Sequence, residues 1–382
     1  MKTALRLKVR FCFLSCFTML LASFLFCIPL VYSEEGKPAG GTGAMEMKDM
    51  DMSGAQQTKT MEGMPGMAGM SHGEGDMIMD DKMVEEMRQA IPQLKGKTDA
   101  EIRAGMAMMP KDYEAYISDK SLKGDIGVLV VAHGGGKVWD ETLINAVKPI
   151  ASAFPTVIGF GMCMHNSTHM QASVNDLVAA GAKKIIVVPT ALNENTSLDR
   201  QWAYIFGKSN KASYATVPQI KTEAKIVIAS EMNDNPLVSE IMIDFAKKIS
   251  TDPKNEVVYI VGHGPEDPAD NAKVLEVMGR IAKEVKKDGN YNDVKCINLQ
   301  DDAPKEIRAG NVQKLRKMIE ETNSKKLQPL IIALLMSSRG IQHKIKSDLA
   351  GLEYKSYLEG MSTHENFTRW VHEVIQDEIK KN

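Results

Sequence analysis

From Asp125 onward, short apolar runs alternate with stretches in which apolar residues recur every three or four positions. That alternation predicts parallel strands buried on both faces, each followed by a covering helix. The first set reads as strands 126–132 (IGVLVVA), 156–161, 184–189 (KIIVVP) and 225–229 (KIVIA), with helices 140–154, 169–180, 197–207 and 236–250. The second set repeats the order, with strands 256–262 (EVVYIVG), 293–299, 328–335 (QPLIIALL) and 354–358 and helices 270–287, 305–322, 341–349 and 365–380.

Local features repeat as well. AHGGG at 132–136 corresponds to GHGPE at 262–266, and SEMNDNP at 230–236 to EGMSTHE at 359–365, with Met232 opposite Met361. Residues 125–252 and 253–382 are therefore predicted to form two similar four-stranded parallel-sheet α/β units facing a central cleft. Ligands of such sheets bind beyond the carboxyl ends of the strands. The residues that follow each strand are thus the candidates for chemistry.

In the second half, His263 follows the first strand, Asp301 and Asp302 the second, and His343 the third. Two imidazoles and a carboxylate at one cleft can hold a borderline divalent cation or accept protons. The plainer alternative makes His263 a turn residue and the Asp pair a helix cap before Pro304. The first half offers His133 after its first strand and, after its second, GMCMHNSTHM at 161–170. That stretch supplies Cys163, His165 and His169 as soft-metal donors, or else simply ends a buried strand with Met and Cys. No counterpart of His343 is evident in the first half.

The N-terminal third has a different pattern. A basic start, with Lys2, Arg6, Lys8 and Arg10, precedes an uncharged apolar run from Phe11 to Ser33 that contains Pro29. This predicts an export signal cleaved before Glu34 and a periplasmic or secreted protein. The same run is long enough to stay in a membrane as an anchor. Residues 34–90 are short of large apolar side chains other than Met, which predicts a disordered segment, with a linker over 91–124. Twelve of the 43 residues from Met45 to Met87 are methionine, well above ordinary usage. The spaced series Met61, Met64, Met67, Met70, followed by His72, suits a soft monovalent ion such as Cu(I). The alternative is a low-complexity linker whose methionines scavenge oxidants.

Composition narrows the classes further. The 382-residue chain has a formal charge of −2, and without the four N-terminal cations 43 basic residues face 49 acidic ones, which argues against a nucleic-acid partner. Of five cysteines, Cys12, Cys16 and Cys27 lie in the export segment; Cys163 and Cys296 make no disulfide framework. Gly69 to Gly73 (GMSHG) matches a serine-hydrolase elbow and His133 to Gly136 an oxyanion loop, but they occur in the wrong order and outside a strand-turn-helix, which excludes that chemistry.

The openings VLVVAHGGG and VYIVGHGPE, the run GAKKIIVVP before a helix, and His343 after the equivalent strand resemble the class II chelatases, most closely the CbiX-like sirohydrochlorin cobaltochelatases. The similarity spans roughly residues 125 to 380. It implies insertion of a divalent metal (cobalt, iron or nickel) into a tetrapyrrole without ATP or an organic cofactor. By position, His263 and His343 would bind the metal or accept the pyrrole protons, assisted by Asp301 or Asp302. Asp348 stands five residues after His343, where the family usually has an aspartate at four. The competing expectation is an exported copper or haem carrier that keeps the fold without catalysis.

Overall fold

A computed structural model describes residues 79–109, 111–338 and 341–381. All of them fall in one compact unit. The export segment and Met61, Met64, Met67, Met70 and His72 lie outside the described residues.

The strands form where the apolar runs are continuous. The first sheet holds β1 (Tyr113–Tyr116), β2 (Ile126–Ala132), β3 (Thr156–Phe160), β4 (Lys184–Pro189) and β5 (Lys225–Ile228) in the order β1-β3-β2-β4-β5. The second holds β6 (Glu256–Gly262), β7 (Asp293–Asn298), β8 (Gln328–Leu334) and β9 (Lys355–Tyr357) in the order β7-β6-β8-β9. The two orders are the same once β1 is set aside, so the duplication seen in sequence is a duplication of topology. Both sheets are parallel apart from β1, which pairs antiparallel with β3. The first sheet is thus five-stranded rather than four-stranded. YEAY is too short and too polar to announce itself, and it takes strand form by docking on the edge of β3.

Helices α3 (Lys137–Ala151), α6 (Pro236–Lys247), α7 (Pro268–Gly289) and α10 (Glu365–Lys380) lie between the sheets. They share one continuous apolar core that includes Val128 and Val130 of β2, Val258 and Ile260 of β6, and Trp370 and Phe367 of α10. The helix of the last repeat also ties to the first: Thr368 donates to the Ala146 carbonyl at 2.7 Å. The outer faces are covered by α4 (Thr168–Ala179) and α5 (Ser197–Ile205) on the first sheet, and by α8 (Lys305–Ser324) and α9 (Ile341–Asp348) on the second.

The stretch before Asp125 is more ordered than its composition predicts. Helix α1 (Asp81–Ala90) starts at Asp80, whose carboxylate accepts from the Met83 N–H, and buries Val84 and Met87. Helix α2 (Asp99–Ala107) opens with a Thr98–Glu101 capping box and buries Ile102. Both rest on the loop after β3 through a cluster that includes Met79, Met87 and Met164. Methionine takes the place of core leucine here, which is why a segment poor in Leu, Ile and Phe still packs. Among the described residues no helix is long and apolar enough to cross a membrane.

Candidate functional site

The order β7-β6-β8 places the topological switch point between β6 and β8, where connections leave in opposite directions. Gly262 ends β6 opposite Leu334 of β8. His263 therefore emerges at the mouth of that crevice, and the segment leading into α9, which carries His343, leaves beside it.

The His263 ring is oriented locally. Its Nδ1 donates to the Gly264 carbonyl at 2.9 Å, and its Nε2 lies 3.3 Å from Asp302 Oδ2. Donation from Nδ1 leaves the Nε2 lone pair for a metal or a proton. A separation of 3.3 Å is also that of two ligands sharing one divalent ion at about 2.0–2.2 Å. Both groups are reachable from solvent, with side chains 39% and 70% exposed.

The loop that presents the pair is clamped. Gln300 adopts φ 54°, a conformation that must be held by its surroundings. Its N–H donates to the His263 carbonyl at 2.6 Å and its side-chain amide to the Pro265 carbonyl at 2.8 Å. Asn311 donates to the Gln300 side-chain oxygen at 3.1 Å. Gly264 has φ 72°, and a β-carbon there would meet Asn298 Cβ at 2.4 Å, with no room to yield. Gly264→Ala is expected to cost about 2 kcal/mol of stability and to displace His263. Denaturant melts beside an activity assay check this, with Gly134→Ala as the milder comparison because its nearest neighbour stands at 3.4 Å.

The two aspartates part company. Asp301, 8% exposed, receives Arg308 Nε at 2.6 Å and Lys344 Nζ at 3.2 Å. Burial alone would raise its pKa, but Arg308 and Lys344 outweigh burial and hold it below the usual carboxylate range. Arg308 also binds Asp348 at 2.7 Å. Asp301 and Asp348 are therefore committed to an ion-pair network that fixes α8, α9 and the strand-end loop together, and of the two neighbouring aspartates only Asp302 stands beside His263. Neither aspartate caps α8, whose N-terminus carries no side-chain cap. His343 sits exposed in α9, beside the Lys344 that reaches Asp301, and makes no ion pair or hydrogen bond with the described residues.

The first half repeats the device in part. His133 Nδ1 donates to the Gly134 carbonyl, and Gly134 has φ 76°. Its surroundings differ, because the neighbouring carboxylate is the buried Asp140, bound by the Tyr113 hydroxyl at 2.8 Å and the Gly135 N–H at 3.1 Å. Cys163 and His169 do meet, Sγ to Nε2 at 3.7 Å, but in the interior. Burial, and then the Asp112 carboxylate, push the Cys163 thiol well up; burial, and then the His165 charge, lower His169 to about 3. Among the described residues no three His, Cys, Asp or Glu side chains are arranged to hold a metal ion. The sets His263/His343/Asp301/Asp302 and His133/Cys163/His165/His169 thus resolve into two close pairs, His263 with Asp302 and Cys163 with His169.

Contacts between the halves are made by residues that the strand-end pattern does not single out. Arg200 of α5 binds Asp270 of α7 at 2.7 Å and links the two halves. The buried Tyr214 has its pKa raised first by burial and then by the carboxylates of Glu266 and Asp302. Asp199, 6% exposed, accepts from Thr196, and its Oδ1 has no partner. Burial, opposed by the Thr196 bond and reinforced by Glu231, raises it to about 8. The spacing Thr-x-x-Asp at 196–199 is the readable signal for this helix start. Folded Asp199 keeps its proton up to about pH 8, whereas an unfolded aspartate loses it near pH 4. The folded state then binds more protons between those values, so stability falls as pH rises through that window and levels off above it. Asp199→Asn removes this titration; its gain in Tm over the parent is expected to be larger at pH 8 than at pH 4. Two surface cavities, of about 600 and 390 Å³, lie elsewhere, the first lined by Ser121 and Lys148 and the second by Glu231 and Trp370.

Two duplicated parallel sheets with a histidine held at each leading strand end define a two-repeat α/β protein. No protein-family model matches the chain. Among curated proteins it is 29% identical over 140 residues to the sirohydrochlorin cobaltochelatase of Methanothermobacter thermautotrophicus, covering 34% of this chain and 96% of that protein. It is 26% identical over 120 residues to the protein of the same name from Saccharolobus solfataricus, covering 31% and 91%. Among solved structures it aligns with SirB from Bacillus subtilis with Fe3+, at TM-score 0.48 and 18% identity, over 66% of this chain and 96% of that one. Over about a third of its length the chain is thus similar to proteins named sirohydrochlorin cobaltochelatase.

Proposed function

We propose that the chain inserts a divalent first-row metal, cobalt foremost, into a tetrapyrrole of the sirohydrochlorin type, at the β6/β8 crevice. The observation that carries this reading is the His263–Asp302 pair, with Nε2 turned outward by the Nδ1 bond to Gly264. The reaction exchanges one M²⁺ for two pyrrole N–H protons, so it needs a metal-binding group and a proton acceptor facing it across the ring. His263 and Asp302 supply the first, and His343, exposed in α9, the second. The likeness to proteins named sirohydrochlorin cobaltochelatase supports the substrate class. The basic and then apolar N-terminus supports an exported location, which cell fractionation tests.

Mixing the purified chain with sirohydrochlorin and Co²⁺, Fe²⁺ or Ni²⁺ in turn, and following the macrocycle's visible absorption, tests the proposal. Conversion faster than in protein-free buffer for at least one metal is expected. No acceleration with any of the three contradicts it.

A further inference from the structure

The interior pair in the first half has no use in that reaction. Cys163 and His169 are 0% and 5% exposed, far from water and on the opposite side of the first sheet from the shared core. Cys163 is held at φ 53°, a left-handed conformation that a side-chain-bearing residue seldom adopts. The buried Gln201 fixes it there, donating to the Cys163 carbonyl at 2.8 Å while accepting from the Ser213 and Tyr214 N–H groups. The result aims Sγ at His169 Nε2, and the other ring nitrogen of His169 is buried without a partner.

Thioethers lie in the same part of the fold, with Met83 of α1 packed against the cluster that holds Cys163. Met162 and Met164 flank Cys163 in sequence and pack with Met79, Met83, Met87 and Met106 of the N-terminal helices. Met170 follows His169 and belongs to the same buried cluster as Cys163. A divalent ion of the zinc kind takes three or four His, Cys or carboxylate donors, which this place lacks. A soft monovalent ion accepts fewer donors, chosen from thiolate, thioether and imidazole. With bonds of about 2.3 Å to sulfur and about 2.0 Å to nitrogen, the observed gap closes an S–metal–N angle of roughly 120°, the trigonal value, leaving a third position for a thioether.

We infer that Cys163 Sγ and His169 Nε2, with a thioether from one of these methionines, bind one soft monovalent cation of the Cu(I) or Ag(I) class beneath α1 and α2. Binding releases the thiol proton: Cys–SH and Cu⁺ give Cys–S–Cu and H⁺. Entry requires α1 and α2 to lift from the 161–164 loop, against their apolar contacts and the bonds from Thr216 to Glu86.

The test uses the full chain with Cys12, Cys16, Cys27 and Cys296 all changed to serine, so that Cys163 is its sole thiol. Anaerobic titration with Cu(I) against bicinchoninate is expected to produce a thiolate-to-Cu(I) absorption band that saturates at one equivalent, with one nitrogen in the copper X-ray absorption shell. Cys163→Ser should abolish the band, and His169→Gln should weaken that equivalent at least tenfold while removing the nitrogen. The inference is overturned if the sole-thiol chain gives no such band, or if its copper shell is all thioether; the Cys163–His169 contact is then a thiol-to-imidazole hydrogen bond and nothing more. Because both of those results are read on the chain that retains the two ligands, failure of either variant to fold does not obscure them.

Discussion

His263→Ala is expected to lower kcat/KM for metal insertion by about 10²- to 10⁴-fold, the range for loss of a positioned acid–base group or metal ligand. The fold should survive, because the side chain is 39% exposed and the clamp on its loop runs through its backbone carbonyl and Gln300 rather than through the ring. Far-ultraviolet circular dichroism and thermal melts of the variant check that part directly. Asp302→Asn should cost less, about 10- to 100-fold, since in the proposed reaction Asp302 stands beside His263 as a second donor rather than the sole one. Asp301→Asn tests the division of labour between the neighbours. Its loss should appear first as instability, because it removes a buried carboxylate that Arg308 and Lys344 share and leaves Arg308 with Asp348 alone.

Trp370→Ala is expected to destabilise the protein by about 3 kcal/mol, the low end of the cost of removing a fully buried tryptophan. The ring is 0% exposed in the core between the sheets, tilted against Phe367 with centroids 5.7 Å apart, in a cluster that draws on both repeats. Its indole N–H is buried with no acceptor, so the wild-type residue already carries a desolvation penalty, and removing it offsets part of the cavity cost. Trp370→Phe keeps most of the apolar ring and deletes the stranded donor, and should be close to neutral. Urea unfolding of the three proteins separates these terms. Because α10 binds Ala146 of the first repeat, both repeats should lose their structure in one transition in each case.

The duplicated sheet is legible in the sequence because parallel strands buried on both faces are continuous apolar runs. Strands β2, β4 and β6 run over 126–132, 184–189 and 256–262, as their sequences predict. Helix ends are less so. Helix α3 starts at Lys137, right after the glycine run and ahead of the apolar periodicity that marks its body. The order in α1, α2 and β1 is hidden because distant partners confer it. Strand β1 forms on the edge of β3, while α1 and α2 pack through methionine in place of aliphatic core residues. At the site, strand ends point to His263 and Asp302. The fate of Asp301 is not readable, since it depends on Arg308 and Lys344, which sequence spacing alone does not bring to it. Arg200 comes from the other repeat, and only the folded chain brings it to Asp270.

Both repeats carry the same histidine on the same glycine turn, yet only the crevice at the end of β6 pairs it with an exposed carboxylate. Chemistry confined to that crevice is tested by a single-turnover insertion assay with sirohydrochlorin and Co²⁺, run in parallel on the parent, His263→Ala and His133→Ala chains. His263→Ala should lose the reaction while His133→Ala keeps the parent rate. Loss in His133→Ala, with His263→Ala unaffected, would contradict this assignment and move the reaction to the first repeat.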